Sequence, residues 1–192
     1  MNTIRRSDRL LNEDMALQII DQAQYATISC IDDNGEIFSI PLSTARNGQH
    51  IYIHGAKAGK KSVLYQNGRK VKIVCVAENQ TPQLSADEFA AIRDNAKALA
   101  SQVFTTKYTS AICTAKAYLV DNEEEKRLGL KLLCQKYCLK YMTAFDITGS
   151  SVSVPSKDHV PLLIYAKCFS DAGTAATAEA VSCPADATTS GF

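Results

Sequence analysis

The stretch Ile51-Tyr52-Ile53-His54-Gly55-Ala56-Lys57-Ala58-Gly59-Lys60-Lys61 concentrates residue types that could do chemistry. An apolar run ends at His54, a loop of small residues follows, and two adjacent cations stand where a short helix would begin. Free N–H groups and the macrodipole at a helix start favour anions, and Lys60 and Lys61 add formal charge, so the stretch can cradle a phosphate. It is not a Walker A loop, which needs a single Lys followed by Ser or Thr, and it is not a GxGxxG dinucleotide loop. A solvated lysine turn fits the same spacing, and on spacing alone that reading carries the greater weight. His54 also reads in two ways. It is a hydrogen-bonded strand-end histidine, or, because histidines as a class titrate near neutrality, a group able to hydrogen-bond or protonate a substrate. Cys134 and Cys138 share a helical face, but no third or fourth metal ligand stands nearby, and they read as buried thiols. Asp87, Glu88 and Glu123-Glu124-Glu125 read as helix-start charges rather than acid/base pairs.

These residues need elements to position them. Asn12 caps a predicted helix in which Met15, Ile19 and Ala23 recur at spacings of four. Residues 25–30 alternate as a strand, and Asp33-Asn34-Gly35 predicts a tight hairpin. Residues 36–43 return as the second strand. Pro41 inside it cannot donate to a ladder, so it marks an edge or a place where something other than a strand lies alongside. Asn47-Gly48 turns into a third strand at 50–54. A short helix at 62–66 and a strand at 70–77 follow. Ser85 and Glu88 form a capping box opening a helix to about Ser101. A long strand is predicted at 107–120, a helix from Asn122 to about Tyr141 with Leu128, Leu132 and Leu133 inward, and a last strand at 160–167. This order lacks βαβαβ alternation, which disfavours a doubly wound sheet. It fits a mainly β (α+β) chain: a mostly antiparallel six-stranded barrel with appended helices.

The chain has 192 residues, enough for one domain. Residues 1–169 read as that domain. Residues 170–192 are Ala, Thr, Ser and Gly with almost no large apolar side chains, and read as a disordered tail. Lys and Arg total 21 against 20 Asp and Glu, a net charge of +1, which speaks against a nucleic-acid partner. No apolar run approaches the ~20 residues of a membrane span, and residues 1–8 hold no apolar leader. The seven cysteines are scattered without CxxC, so the reading is reduced thiols in the cytoplasm.

Five motifs in order carry a resemblance. They are Ile4-Arg5-Arg6-Ser7-Asp8-Arg9; Ile40-Pro41-Leu42-Ser43; Ile51-Tyr52-Ile53-His54-Gly55-Ala56 with Gly59-Lys60; Val103-Phe104-Thr105-Thr106-Lys107-Tyr108-Thr109-Ser110; and Glu123-Glu124-Glu125-Lys126 with Leu132-Leu133-Cys134-Gln135-Lys136-Tyr137. From about Thr3 to Tyr141 the chain resembles the nitroimidazole-resistance (Nim-type) proteins of the pyridoxamine 5′-phosphate oxidase-like flavoproteins. Ala115 stands where relatives commonly carry Gly, and the match fades after Tyr141.

The resemblance implies an FMN-binding split β-barrel acting as a homodimer, with FMN at the subunit interface. It implies that Lys60 and Lys61 hold the FMN phosphate and that Pro41, Leu42 and Ser43 lie along the flavin ring. Tyr108, Thr109 and Ser110 would reach the same flavin from the other subunit, and His54 would face the substrate as the catalytic candidate. The implied activity is an FMN-dependent oxidoreductase. A nicotinamide donor would reduce the flavin, which would pass the electrons to a small electrophilic or nitroaromatic acceptor. Two other readings stay open: a non-catalytic flavin- or haem-type binding protein, and a pyridoxamine 5′-phosphate oxidase-like oxidase. No second basic cluster suits the phosphate of the latter's substrate.

Overall fold

The structure is a computed structural model that describes residues 10–138, 162–168 and 178–182. Strand β1 (Leu10–Leu11) leads into helix α1 (Glu13–Gln22), where the Asn12 side chain accepts the Met15 N–H at 2.9 Å and Ala16, Ile19 and Ile20 are buried. Strands β2 (Ala26–Ile31) and β3 (Ile37–Leu42) form the predicted hairpin, with Ala26 opposite Leu42 and Ile31 opposite Ile37. Gly35, at φ +82°, supplies the left-handed residue that this tight turn needs. Strands β4 (Thr44–Asn47) and β5 (His50–Gly55) form a second hairpin, followed by α2 (Lys60–Leu64) and β6 (Arg69–Gln80). Helices α3 (Ala86–Ile92) and α4 (Ala96–Gln102) replace the single helix expected there, because Asn95 starts a new helix by accepting the Ala98 N–H. Strand β7 (Lys107–Leu119), helix α5 (Glu123–Tyr137), β8 (Leu162–Cys168) and β9 (Ala178–Ser182) complete the order.

The sheet has nine strands rather than six, and its ladders run in the order β3-β2-β6-β7-β8-β5-β4. Among the described residues no ladder joins β3 to β4, so hydrogen bonds do not close the expected six-stranded barrel. Covalent geometry nevertheless curls the sheet. Laid flat, the six steps of that path would place β3 and β4 about 29 Å apart, at about 4.8 Å per step. Only Ser43 separates Leu42 from Thr44, and two residues reach at most about 7 Å. The two edges are therefore drawn together at Ser43. Pro41 lies on β3, which among the described residues pairs only with β2, in agreement with the edge reading.

Strand β9 falls inside the segment that composition reads as a tail. Its physical reason is β7, which is 13 residues long. Strand β8 pairs with β7 only over residues 115–119, and β9 occupies the same edge over residues 109–113. An uncovered edge there would leave backbone groups unpaired. The expected last strand is present as Leu162–Cys168, and residues 160 and 161, like Tyr141, lie outside the described residues. On helix α5, Leu133 is buried and Leu132 packs against its cluster as expected, while Leu128 is 38% exposed and Gly129 is buried in its place. Cys113 is disulfide-bonded, so the reading of all seven thiols as reduced does not hold for it. Cys30, Cys75, Cys134 and Cys138 are free, and Cys138 is exposed rather than buried.

The main core joins α1, β2, β5, β6 and β7 through Ile19, Ile28, Ile51, Ile73 and Ala111, with Tyr65 among them. Burial raises the Tyr65 phenol above its ordinary range, and its hydroxyl donates to the Ile28 carbonyl at 2.9 Å. A second cluster of Ala45, Tyr52, Val120 and Leu133 seats α5 on β4 and β5. Tyr137 fixes that helix: its hydroxyl accepts the Thr44 N–H and donates to the Thr44 carbonyl, both at 3.0 Å. Tyr137→Phe leaves both Thr44 groups unpaired. The expected loss is about 1–3 kcal/mol, read as a lower urea midpoint with an unchanged slope.

Candidate functional site

The loop after β5 ends at Gly59, whose φ of +104° suits glycine, and α2 begins at Lys60. The two lysines diverge from there. The Lys60 ammonium lies 3.0 Å from an Asp32 carboxylate oxygen and 5.6 Å from the centre of the Phe38 ring. The Asp32 side chain is only 4% exposed. Its other oxygen accepts the N–H groups of Asn34 and Glu36, each at 3.0 Å. Asp32 is thus the residue that ties the β2–β3 turn to α2. The hydrogen bond from Lys60, then those from the backbone, hold its carboxyl below the usual range. Sequence reasoning passed over it, because Asp33-Asn34-Gly35 drew attention to the turn's tip. The signal was an Asp opening a turn, where its side chain can bond the backbone two residues on.

Lys61 runs the other way. Its Nζ lies 3.2 Å from where a Cβ on Gly55 would stand, so the missing side chain at Gly55 makes room for the ammonium. No carboxylate among the described residues pairs with Lys61. His54, the neighbour of Gly55, is exposed at the end of β5, opposite Leu163 of β8. Lys61 and His54 therefore reach one strand end from opposite faces, because consecutive strand side chains alternate. A cavity of about 410 Å³ lies between the turn and α2, lined by Asp32, Asp33, Asn34, Gly59, Lys60 and Val63.

The remaining candidates sit elsewhere on the sheet. Pro41 stands in a cross-strand row with Thr27, Val74 and Ile112, on the face of β3, β2, β6 and β7 turned away from the core. Tyr108 and Ser110 alternate onto that face of β7, while Thr109 turns aside and donates to the Ala77 carbonyl at 3.2 Å. Leu42 packs against the core, as does Phe38 beneath Lys60. Ser43 lines a separate groove of about 670 Å³ with Asp21, Tyr25, Lys136 and Tyr137. Within one chain, Pro41, Tyr108 and Ser110 thus share an outer face. Lys60 lies over the inner-face residue Phe38, about 10 Å further along β3.

Asp32 carries a pH signature. A carboxyl held low in the fold stabilises it fully above the unfolded value of about 3.9 and loses that contribution as pH falls. Asp32→Asn is expected to lower the thermal midpoint at pH 7. The gap to wild type should close as pH drops below about 4, and a gap independent of pH would contradict the Lys60–Asp32 pairing.

Comparison with known proteins gives this arrangement its relatives. No curated protein sequence matches significantly. Several solved structures share the fold. One is a proposed 5-nitroimidazole antibiotic resistance protein from Bacteroides thetaiotaomicron, 15% identical, with TM-score 0.57 over 89% of this chain and 84% of that one. Another is an FAD and heme binding protein from Mycobacterium smegmatis, 14% identical, with TM-score 0.63 over 91% and 73%. A third is the flavocytochrome Anf3 from Azotobacter vinelandii, 14% identical, with TM-score 0.56 over 94% and 82%. Residues 12–146 match the sequence profile of the family described as pyridoxamine 5′-phosphate oxidase, which spans most of the chain. The chain belongs to the pyridoxamine 5′-phosphate oxidase family.

Proposed function

We propose that this protein binds a flavin, FMN in particular, and works as an oxidoreductase on a small electrophilic or nitroaromatic acceptor with a nicotinamide nucleotide as donor. The observation that carries the reading is Lys61, a cation without a carboxylate partner among the described residues, lodged against Gly55 at the strand end whose opposite face carries His54. The residues present fit the cofactor. An unpaired ammonium suits a phosphate. The exposed edge at Pro41 offers backbone carbonyls without a competing N–H at that residue, and the outer sheet face offers apolar surface. Bound flavin supplies hydride acceptance and electron delivery. The chain's part is to hold the phosphate at the lysine turn that opens α2, to offer the ring the Pro41–Leu42–Ser43 edge, and to present His54 as a hydrogen-bond donor to the acceptor.

The homodimer belongs to the same reading. Ile31, Ile37, Val76 and Ile112 are exposed on the outer face of β2, β3, β6 and β7, and Ile37 is 80% exposed. A polar row of Ser39, Ser29, Lys72 and Thr114 lies between the two apolar pairs, and exposed apolar side chains on both sides of it support an association surface. A second copy seated there would bring its Tyr108, Thr109 and Ser110 toward the first copy's flavin.

A second reading, a non-catalytic flavin- or haem-binding protein, draws support from solved structures of similar fold, one named an FAD and heme binding protein and one a flavocytochrome. The two readings part at the bench. The purified protein is expected to be yellow. Its flavin should bleach with a nicotinamide donor under anaerobic conditions and regain colour on addition of a nitroimidazole. A yellow protein that never bleaches, or one that takes up haem instead, favours the second reading, and a colourless protein that takes up no flavin removes the first.

Lys60→Ala combined with Lys61→Ala should weaken FMN binding about tenfold or more, well beyond the effect of His54→Ala, as expected for lost charge-assisted contacts. The reverse order would refute the assignment. Ile112→Glu should convert a dimer to a monomer in sedimentation and release the flavin at the same time. A monomeric wild type, or a monomeric variant that retains its flavin, would separate the cofactor from the interface.

A further inference from the structure

We infer that Asp32 is a positioning residue of the anion site: it holds Lys60 at the β2–β3 turn and leaves Lys61 as the cation that meets the ligand's phosphate. This inference rests on the flavin reading above and divides the work within its lysine pair.

Both Asp32 oxygens are in use. One takes the N–H groups of Asn34 and Glu36, each at 3.0 Å, and the other takes the Lys60 ammonium at 3.0 Å. The carboxylate is nearly buried, so withdrawing Lys60 would strand a charge that water cannot reach freely, a cost that opposes its transfer to a competing anion. The Phe38 ring, 5.6 Å from the ammonium, gives a second hold on the same cation. A phosphate drawn up to Lys60 would also meet the like charge of Asp32 within a few ångströms. Lys61 differs on every count. It has no carboxylate partner among the described residues, and it reaches back across Gly55 to the strand end that carries His54. The pair is therefore not two equivalent phosphate ligands. One lysine braces the loop against the hairpin, and the braced loop aims the other.

The test compares FMN with riboflavin, which lacks only the phosphate. The ratio of their dissociation constants isolates the phosphate's share of binding, and general damage to the fold weakens both ligands alike without moving that ratio. Lys61→Ala should cut the phosphate preference about tenfold or more, the size of one charge-assisted hydrogen bond. Lys60→Ala should leave it within about threefold. Asp32→Asn should raise it, because Lys60 is released and a negative charge is removed. Equal losses in the two lysine variants, or a lowered preference in Asp32→Asn, overturn the division of roles.

The brace itself is read without ligand, by denaturant unfolding of Asp32→Ala, Lys60→Ala and the double variant. The double variant should be no less stable than the weaker single variant. Additive losses overturn the positioning role of Asp32. Coupled losses in a protein that binds neither flavin confirm the brace and overturn both the flavin reading and the task given to Lys61.

Discussion

The fold depends on a covalent constraint at Ser43. The two ends of the strand path, β3 and β4, are separated by that single residue, so the sheet has no freedom to lie flat. Curling gives it a concave side and a convex side. The concave side collects Ile28, Ile73, Ala111 and Ile51 into one core that α1 covers. The convex side of β3, β2, β6 and β7 keeps Ile37, Ile31, Val76 and Ile112 in the open. Tyr137 ties α5 to Thr44, the residue just past the bend, so the bend and the helix stabilise one another.

Within that frame the charges near α2 work by local pairing rather than by net charge. The chain carries only +1 overall. Around the hairpin, Lys60 is paired to Asp32 and Arg69 to Asp33, which leaves little excess charge at the turn. Lys61, at the end of β5, has no carboxylate partner among the described residues. The low dielectric near a partly buried carboxylate makes a broken pair costly, and that cost holds Lys60 at Asp32.

Membership of the pyridoxamine 5′-phosphate oxidase family fixes the kind of scaffold, not the reaction on it. The solved structures that share the fold are about 15% identical or less, and by name they include a proposed resistance protein, an FAD and heme binding protein and a flavocytochrome. Chemistry varies across such a scaffold because the ligand meets loop ends and sheet edges, which tolerate substitution more readily than the core does.

Local signals in the sequence were sufficient for much of this. The Asn12 cap, the Asp33-Asn34-Gly35 turn, the Ser85 capping box and the alternation in β2 and β7 act over a few residues and are written in residue order. The lysine pair after a glycine loop, the edge proline and the ordered motifs that pointed to the family are of the same kind. The break at Asn95, the exposure of Leu128 and strand β9 were not legible, because each is decided by what packs alongside. An Ala-rich segment forms a strand when a long neighbour has an open edge to pair. Asp32 and Lys60 are 28 residues apart in the chain. No spacing rule links them, so only the closed hairpin could assign Lys60 to a carboxylate and leave Lys61 without one among the described residues. By itself the sequence determined which elements form, where the chain turns and which family it joins, since those rest on short-range sterics and patterning. The tertiary structure decided which charges meet, because pairing energy falls steeply with distance and with exposure to water, and both are set only when remote segments come together.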